Sequence, residues 1–182
     1  MDAQGHVNNA LYVDYLQEAR AQFLLDGPNH HMLGGGVVVV GHQIEYLRPI
    51  SYSDRPMEIE LAVAEVGAAR FVIGYELRHD GELCARATTI LCPFDFTAGT
   101  PRRMTRSERD HFMSVQRDLP AMRPLEAPAL SGRGHHHPLQ VRWSDLDSYG
   151  HVNNVRYFDY VQEARIAMTT EADPATARLG MT

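Results

Sequence analysis

Residues 147–165 read DSYGHVNNVRYFDYVQEAR, and residues 2–20 read DAQGHVNNALYVDYLQEAR. The stretches lie 145 positions apart and agree at 13 of 19 positions, so the chain contains an internal duplication. In each copy an aspartate leads through Gly-His-Val-Asn-Asn, a turn-forming run, into residues with helical spacing. The surroundings differ. Leu139-Gln140-Val141-Arg142-Trp143-Ser144 ahead of the second copy alternates apolar and polar residues and predicts a strand, whereas only Met1 precedes Asp2. The first copy is followed by strand-rich sequence, and the second soon reaches Thr182. This asymmetry predicts one nearly complete unit (1–104), a short helix and linker (105–138), and the opening strand and helix of a second unit (139–182). A fragment of a longer double-unit protein gives that pattern. The alternative is a circular permutation in which 139–146 folds back to complete the first sheet.

Working outward from the first copy, Asn9–Asp26 predicts a helix, with Leu11, Tyr15, Leu16, Ala19 and Phe23 on one apolar face. Gly27-Pro28 ends it. Four strands are predicted next, over Val37–Leu47, Met57–Val66, Arg70–Arg78 and Leu83–Phe94. The last two are joined by a hairpin turn, His79-Asp80-Gly81-Glu82, in which Asp-Gly is the signal. Thr105-Arg106-Ser107-Glu108 resembles a capping box and predicts a helix reaching about Leu119. Pro120–Pro138 reads as a linker, and a second helix spans about Asn154–Thr170. One helix followed by closely spaced strands gives an α+β chain with an antiparallel sheet packed on the helix.

Composition excludes several classes. With 44% apolar and 22% charged residues, the chain can bury a core. A formal charge of −6 gives no argument for nucleic acid as a partner. Apolar runs such as Val37–Val40 are far too short to span a bilayer, so no membrane partner is expected. The N-terminus lacks the pattern of a signal peptide. Cys84 and Cys92 face one side of a strand and form no disulfide framework, which points to a reducing, cytoplasmic setting. His135-His136-His137 has no partner ligands at zinc spacing and reads as solvated loop, so no metal or cofactor is expected.

The run from Trp143 through Asp145, Asp147, Gly150, His151, Val152, Asn153 and Asn154, with Tyr157 and Glu163-Ala164-Arg165, resembles the signature of the 4-hydroxybenzoyl-CoA thioesterase-like family. It is also similar to the core motif of plant acyl-ACP thioesterases. Ile44-Glu45-Tyr46-Leu47-Arg48-Pro49 resembles the strand that follows the helix in that family. The resemblance covers roughly residues 1–104 and 139–170 and implies a hotdog fold, a curved antiparallel sheet wrapped around a long central helix. It further implies pairing of two such units, as a homo-oligomer or within one chain, with active sites where they meet.

Thioester hydrolysis needs a nucleophile or a base for water, plus donors aimed at the carbonyl oxygen, where negative charge develops. By resemblance, Asp147 and its counterpart Asp2 are the catalytic acids, attacking directly or activating water. The start of the following helix supplies unpaired backbone N–H groups, and family position assigns the carbonyl-polarising donor to Asn9 or Asn154. Gly5 and Gly150 allow the sharp turn. His6 and His151 act either in catalysis or as hydrogen-bonded structural residues. Asp147 itself could be a cap or turn former. The plant motif carries an asparagine two residues after the aspartate, where this chain has Gln4 and Tyr149; that favours an Asp-based mechanism over an Asn/His one. Glu18 and Glu163 read as structural partners of the helix or sheet. Arg102 and Arg103 could meet coenzyme A phosphates or form an exposed basic turn.

The leading expectation is therefore a cofactor-independent hydrolase that cleaves acyl-CoA to a carboxylic acid and CoA. The alternative is a non-catalytic acyl-CoA-binding hotdog module. A hotdog hydratase would need a His/Asp or His/Glu pair in a motif this sequence lacks.

Overall fold

A computed structural model describes residues 5–126, 132 and 134–172. In chain order the elements are α1 (Leu11–Asp26), α2 (His31–Gly35), β1 (Val37–Tyr46), β2 (Glu58–Val66), β3 (Phe71–His79), β4 (Glu82–Asp95), β5 (Thr100–Pro101) and α3 (Arg106–Ser114). A single 3-10 turn (Trp143–Asp145) and α4 (Arg156–Ala172) complete the order. The chain divides into two compact units, residues 15–123 and residues 1–14 with 124–182.

The first of these units holds the sheet, in the order β1-β4-β3-β2, with β5 paired to β4. Every pairing is antiparallel. The four strand predictions hold to within one residue at each end, because period-2 alternation and the Asp-Gly turn are both local signals. Asp80 and Gly81 both take positive φ, the type I′ geometry that matches the twist of two paired strands. Register shifts at Val39/Gly41, Val63/Glu65 and Leu77/Arg78 are bulges, which bend the strands and curve the sheet.

Alternation sorts the core. Phe71, Ile73, Tyr75 and Leu77 of β3 pair with Leu91, Thr89, Ala87 and Ala85 of β4, and all eight are buried. Phe112 of α3 stacks on Phe71 with ring centroids 4.3 Å apart. The capping box forms as expected: Glu108 N–H donates to Thr105 Oγ1 at 3.2 Å, and Thr105 N–H to Glu108 Oε2 at 2.7 Å. Cys84 and Cys92 are buried free thiols, and burial pushes the Cys92 thiol up.

Three expectations need correction. First, the buried stripe of α1 runs Tyr12, Leu16, Arg20, Leu24, and Leu11 is exposed. Reading only apolar residues turned the face, because the i, i+4 stripe includes a cation. Arg20 is 5% exposed, and among the described residues its Nη1 has no hydrogen-bond partner. Glu18 and Arg20 do not pair, since residues two apart point away from each other on a helix.

Second, α3 ends at Ser114, and the start of the expected linker lies on the sheet. Arg117 N–H donates to the Val63 carbonyl, Gln43 Nε2 to the Arg123 carbonyl, and Arg123 N–H to Glu45 Oε1. Leu119 occupies the space above Gly74 that a β-carbon there would need. Gly74→Ala is expected to cost about 1 kcal/mol in urea unfolding, because Leu119 must swing aside. In a Leu119→Ala background the same change is expected to be neutral or stabilising, since alanine restricts the unfolded chain.

Third, residues 139–144 form no strand. Alternation marks a segment that could pair but does not itself supply a partner strand, and the chain there closes into the 3-10 turn Trp143–Asp145.

Candidate active site

The second unit carries the duplicated motif. Around Asp147 the chain folds into a tight loop. Leu146 bridges Val152 in antiparallel fashion, Asp147 N–H donates to the His151 carbonyl at 2.8 Å, and Asn153 N–H donates to the Asp145 carbonyl at 2.8 Å. Gly150 N–H reaches back to the Asp147 carbonyl at 3.0 Å, with Gly150 at φ 77°, a conformation that strains any residue with a β-carbon. The Asp147 carboxylate accepts two further donors on one oxygen. Tyr149 N–H lies 2.9 Å from Oδ1 and His151 N–H lies 3.1 Å from it. Among the described residues no group donates a hydrogen bond to Oδ2. The aspartate thus builds its own turn with one oxygen and keeps the other available.

The loop leads into α4. Asn153 caps its start: Oδ1 accepts from Val155 N–H at 3.3 Å, and the Asn153 carbonyl accepts from Arg156 N–H at 2.9 Å. The first copy repeats this geometry. Asn8 Oδ1 accepts from Ala10 N–H at 2.9 Å, the Asn8 carbonyl from Leu11 N–H at 3.0 Å, and Gly5 has φ 78°. The side-chain caps at the two helix starts therefore come from Asn8 and Asn153. Asn9 and Asn154 occupy the turn just ahead of each helix. His6 is half-buried and His151 exposed, with the His151 backbone closing the Asp147 loop from both sides. Asp2 lies outside the described residues.

Asp145 and Tyr160 also bear on this site, and the sequence reading assigned neither of them a role in it. Asp145 is 6% exposed, and its Oδ2 accepts from Tyr160 Oη at 2.6 Å and from Arg142 N–H at 2.8 Å. The Tyr160 hydrogen bond, followed by the Arg142 amide, holds the Asp145 carboxyl below its ordinary range. In return Asp145 pushes the Tyr160 phenol up to about 12, so the hydroxyl stays a donor. A cavity of about 140 Å³ opens beside this pair, lined by Arg142, Asp145, Arg156, Asp159, Tyr160 and Glu163. Asp147 does not line it. The available signal was the tyrosine kept in both copies, at Tyr15 and Tyr160.

Arg102 and Arg103 belong to the sheet-bearing unit. Arg102 is committed to Glu108 through both Nη atoms, at 2.8 Å each, whereas Arg103 is exposed and forms no ion pair among the described residues. A cavity of about 210 Å³ in that unit, beneath Leu119 and Met122, contains none of the residues named from the motif. Among the described residues no group of three or more His, Cys, Asp or Glu side chains gathers to hold a metal ion. No described helix is long and apolar enough to cross a membrane.

The chain is similar to known proteins in sequence family and in fold. Residues 1–128 match the model of the thioesterase-like superfamily, and residues 130–179 match that of the acyl-ACP thioesterase C-terminal domain. A protein of Aquifex aeolicus (strain VF5) named "Putative esterase" is 33% identical over 95 residues, covering 50% of this chain and 73% of that protein. The structure of a predicted thioesterase from Bacillus stearothermophilus superposes with a TM-score of 0.59 at 19% identity, covering 65% of this chain and 90% of that one. A Thermus thermophilus thioesterase complexed with coenzyme A and Zn superposes with a TM-score of 0.55 at 24% identity, covering 63% and 84%. At these identities the structural likeness carries the fold, and the curved antiparallel sheet with its helix is the hotdog arrangement. On the match of its residues 1–128, the chain belongs to the thioesterase-like superfamily.

Proposed function

We propose that the protein hydrolyses acyl-CoA thioesters to a free carboxylic acid and CoA, with Asp147 as the catalytic carboxylate. The observation that carries this reading is the split use of that carboxylate: Oδ1 is fixed by Tyr149 and His151 N–H groups, and Oδ2 accepts no hydrogen bond from the described residues. In the general-base route Oδ2 takes a proton from water as the water oxygen attacks the carbonyl carbon. The C–S bond then breaks and the thiolate of CoA leaves with that proton. In the nucleophilic route Oδ2 attacks the carbonyl carbon, expels the thiolate, and leaves an anhydride that water hydrolyses. In either route the electropositive start of α4, at Asn154, stabilises the developing oxyanion, and Asn9 does so for Asp2. Gly150 and Gly5 set the turns, and His151 and His6 help hold them.

Coenzyme A bound to the Thermus neighbour supports a CoA thioester, and the acyl-ACP thioesterase match makes a carrier-protein thioester the alternative form of substrate. Thiol release from acetyl-, hexanoyl-, lauroyl- and benzoyl-CoA tests the proposal; no release from any of them overturns it. Incorporation of 18O into Asp147 after one turnover in 18O-water would mark the nucleophilic route.

One observation favours a second reading, an acyl-CoA-binding module without turnover. Tyr12 and Leu16 are 2% and 0% exposed, but their counterparts Tyr157 and Val161 are 58% and 67% exposed. The second copy's helix thus presents an exposed apolar face at Tyr157 and Val161. The same exposed face fits pairing with another hotdog unit or a homo-oligomer. Tight binding of a thioether analogue without thiol release distinguishes the module from the enzyme. Two unpaired buried thiols fit a reducing compartment such as the cytoplasm.

Because Arg102 is held by Glu108, phosphate recognition falls to Arg103 in this proposal. Arg103→Ala is expected to raise KM for acyl-CoA about three- to tenfold with little change in kcat. The N-acetylcysteamine thioester of the same acyl group, which lacks the phosphates, is expected to show no such rise.

A further inference from the structure

We infer that Tyr160 is a positioning residue, which holds the Asp147 loop against α4 by clamping Asp145; this rests on the hydrolase reading for its catalytic consequence. The clamp is built from three contacts on one residue. Tyr160 Oη reaches Asp145 Oδ2 at 2.6 Å from the second turn of α4, and Arg142 N–H reaches the same oxygen at 2.8 Å. The Asp145 carbonyl receives Asn153 N–H at 2.8 Å, on the far side of the loop. One buried residue therefore joins the helix, the 3-10 turn and both limbs of the loop whose tip carries Asp147.

A short hydrogen bond to an ionised, buried carboxylate is among the stronger side-chain ties, because little water competes for it. Its place in the loop gives it leverage. Asp147 follows Asp145 by two residues, and its backbone is paired to His151, so a rotation at Asp145 moves the catalytic carboxylate relative to the helix start. Catalysis by a carboxylate and a helix terminus acting on one carbonyl group depends on their separation, and a displacement of about 1 Å costs on the order of a hundredfold in rate. Tyr160 has no need to touch substrate to matter. Its raised phenol pKa, about 12, keeps the donor in place through the working pH range. Both copies of the duplication carry the tyrosine, at Tyr15 and Tyr160, between the leading Asp and the Gln-Glu-Ala-Arg that the two copies share.

The test compares the full chain with Tyr160→Phe and Asp145→Asn, reading amide hydrogen exchange and steady-state kinetics on the best acyl-CoA substrate. In Tyr160→Phe the Tyr149 and His151 amides are expected to exchange at least about tenfold faster, with β3 amides unchanged. For the same variant kcat is expected to fall about ten- to a hundredfold, with KM within about threefold of wild type. Asp145→Asn keeps an acceptor oxygen without the charge and is expected to fall between the two. Tyr160→Phe added to Asp147→Asn is expected to lower the rate no further, because the tyrosine acts through that carboxylate. Unchanged exchange at Tyr149 and His151 overturns the clamp, as does a loss confined to KM. If the wild type releases no thiol from any acyl-CoA, the hydrolase reading fails, and the exchange result alone decides whether the clamp exists.

Discussion

Asp147→Asn is expected to lower kcat for acyl-CoA hydrolysis by about 10²- to 10⁴-fold, the range supplied by a positioned acid or base, with KM changed only a few-fold. Folding is expected to survive, and the structure says why. The loop uses Asp147 as an acceptor for Tyr149 and His151 N–H at 2.9 and 3.1 Å, and an asparagine carbonyl oxygen presents the same acceptor in the same place. What is lost is the second oxygen, replaced by an amide nitrogen that can neither attack a thioester nor take a proton from water. Asp147→Ala is the necessary control. It removes the acceptor too, so it should lose the rate and also about 1 kcal/mol of stability by opening the turn. A structural aspartate with no chemical role predicts the opposite pattern: Asp147→Asn at nearly full rate and Asp147→Ala impaired only through unfolding. Any rate remaining in Asp147→Asn that vanishes on adding Asp2→Asn belongs to the first copy of the motif.

The same residues show what a sequence discloses and where it stops. The Asp147 turn was legible because Asp followed three residues later by Gly is a local instruction, and the local hydrogen bonds obey it. The strands from Val37 to Asp95 were legible for the same reason, through alternation and the Asp80-Gly81 turn. The stripe of α1 was turned because Arg20 occupies a buried position that hydropathy assigns to solvent. The strand at 139–144 failed because a strand is a property of two segments, and alternation in one of them does not supply the other. The tie from Tyr160 to Asp145 spans fifteen residues and depends on a 3-10 turn bringing a carboxylate under a helix. Only the repetition of the tyrosine at Tyr15 hinted at it, and a repeated aromatic on a helix reads first as core.

Stability is expected to suffer most at a residue far from this chemistry. Glu108 is 1% exposed on its side chain and receives Arg102 on both oxygens, Thr105 N–H at 2.7 Å and His31 Nε2 at 2.9 Å. Burying a carboxylate is costly, and only this set of donors offsets the cost. The Arg102 guanidinium foremost, then the Thr105 amide and His31, holds the Glu108 carboxyl down at about 2, against an ordinary 4.5. Glu108→Gln keeps the size but leaves Arg102 without its anion, and is expected to cost about 3–5 kcal/mol in urea unfolding at pH 7. The pH dependence has a definite sign. A carboxyl whose folded value lies below its unfolded value stabilises fully above about pH 5 and loses that stabilisation as pH falls from 4.5 towards 2. A shift of this size corresponds to about 3 kcal/mol at neutral pH and about half of that at pH 3. The gap between wild type and Glu108→Gln should therefore narrow on acidification. A gap that stays constant from pH 7 to pH 3 would mean that the variant acts through packing or capping and that the charge of Glu108 contributes nothing. The network joins α2, the segment after β5 and the start of α3, so its loss is expected to loosen those elements while the β3–β4 hairpin keeps its amide protection.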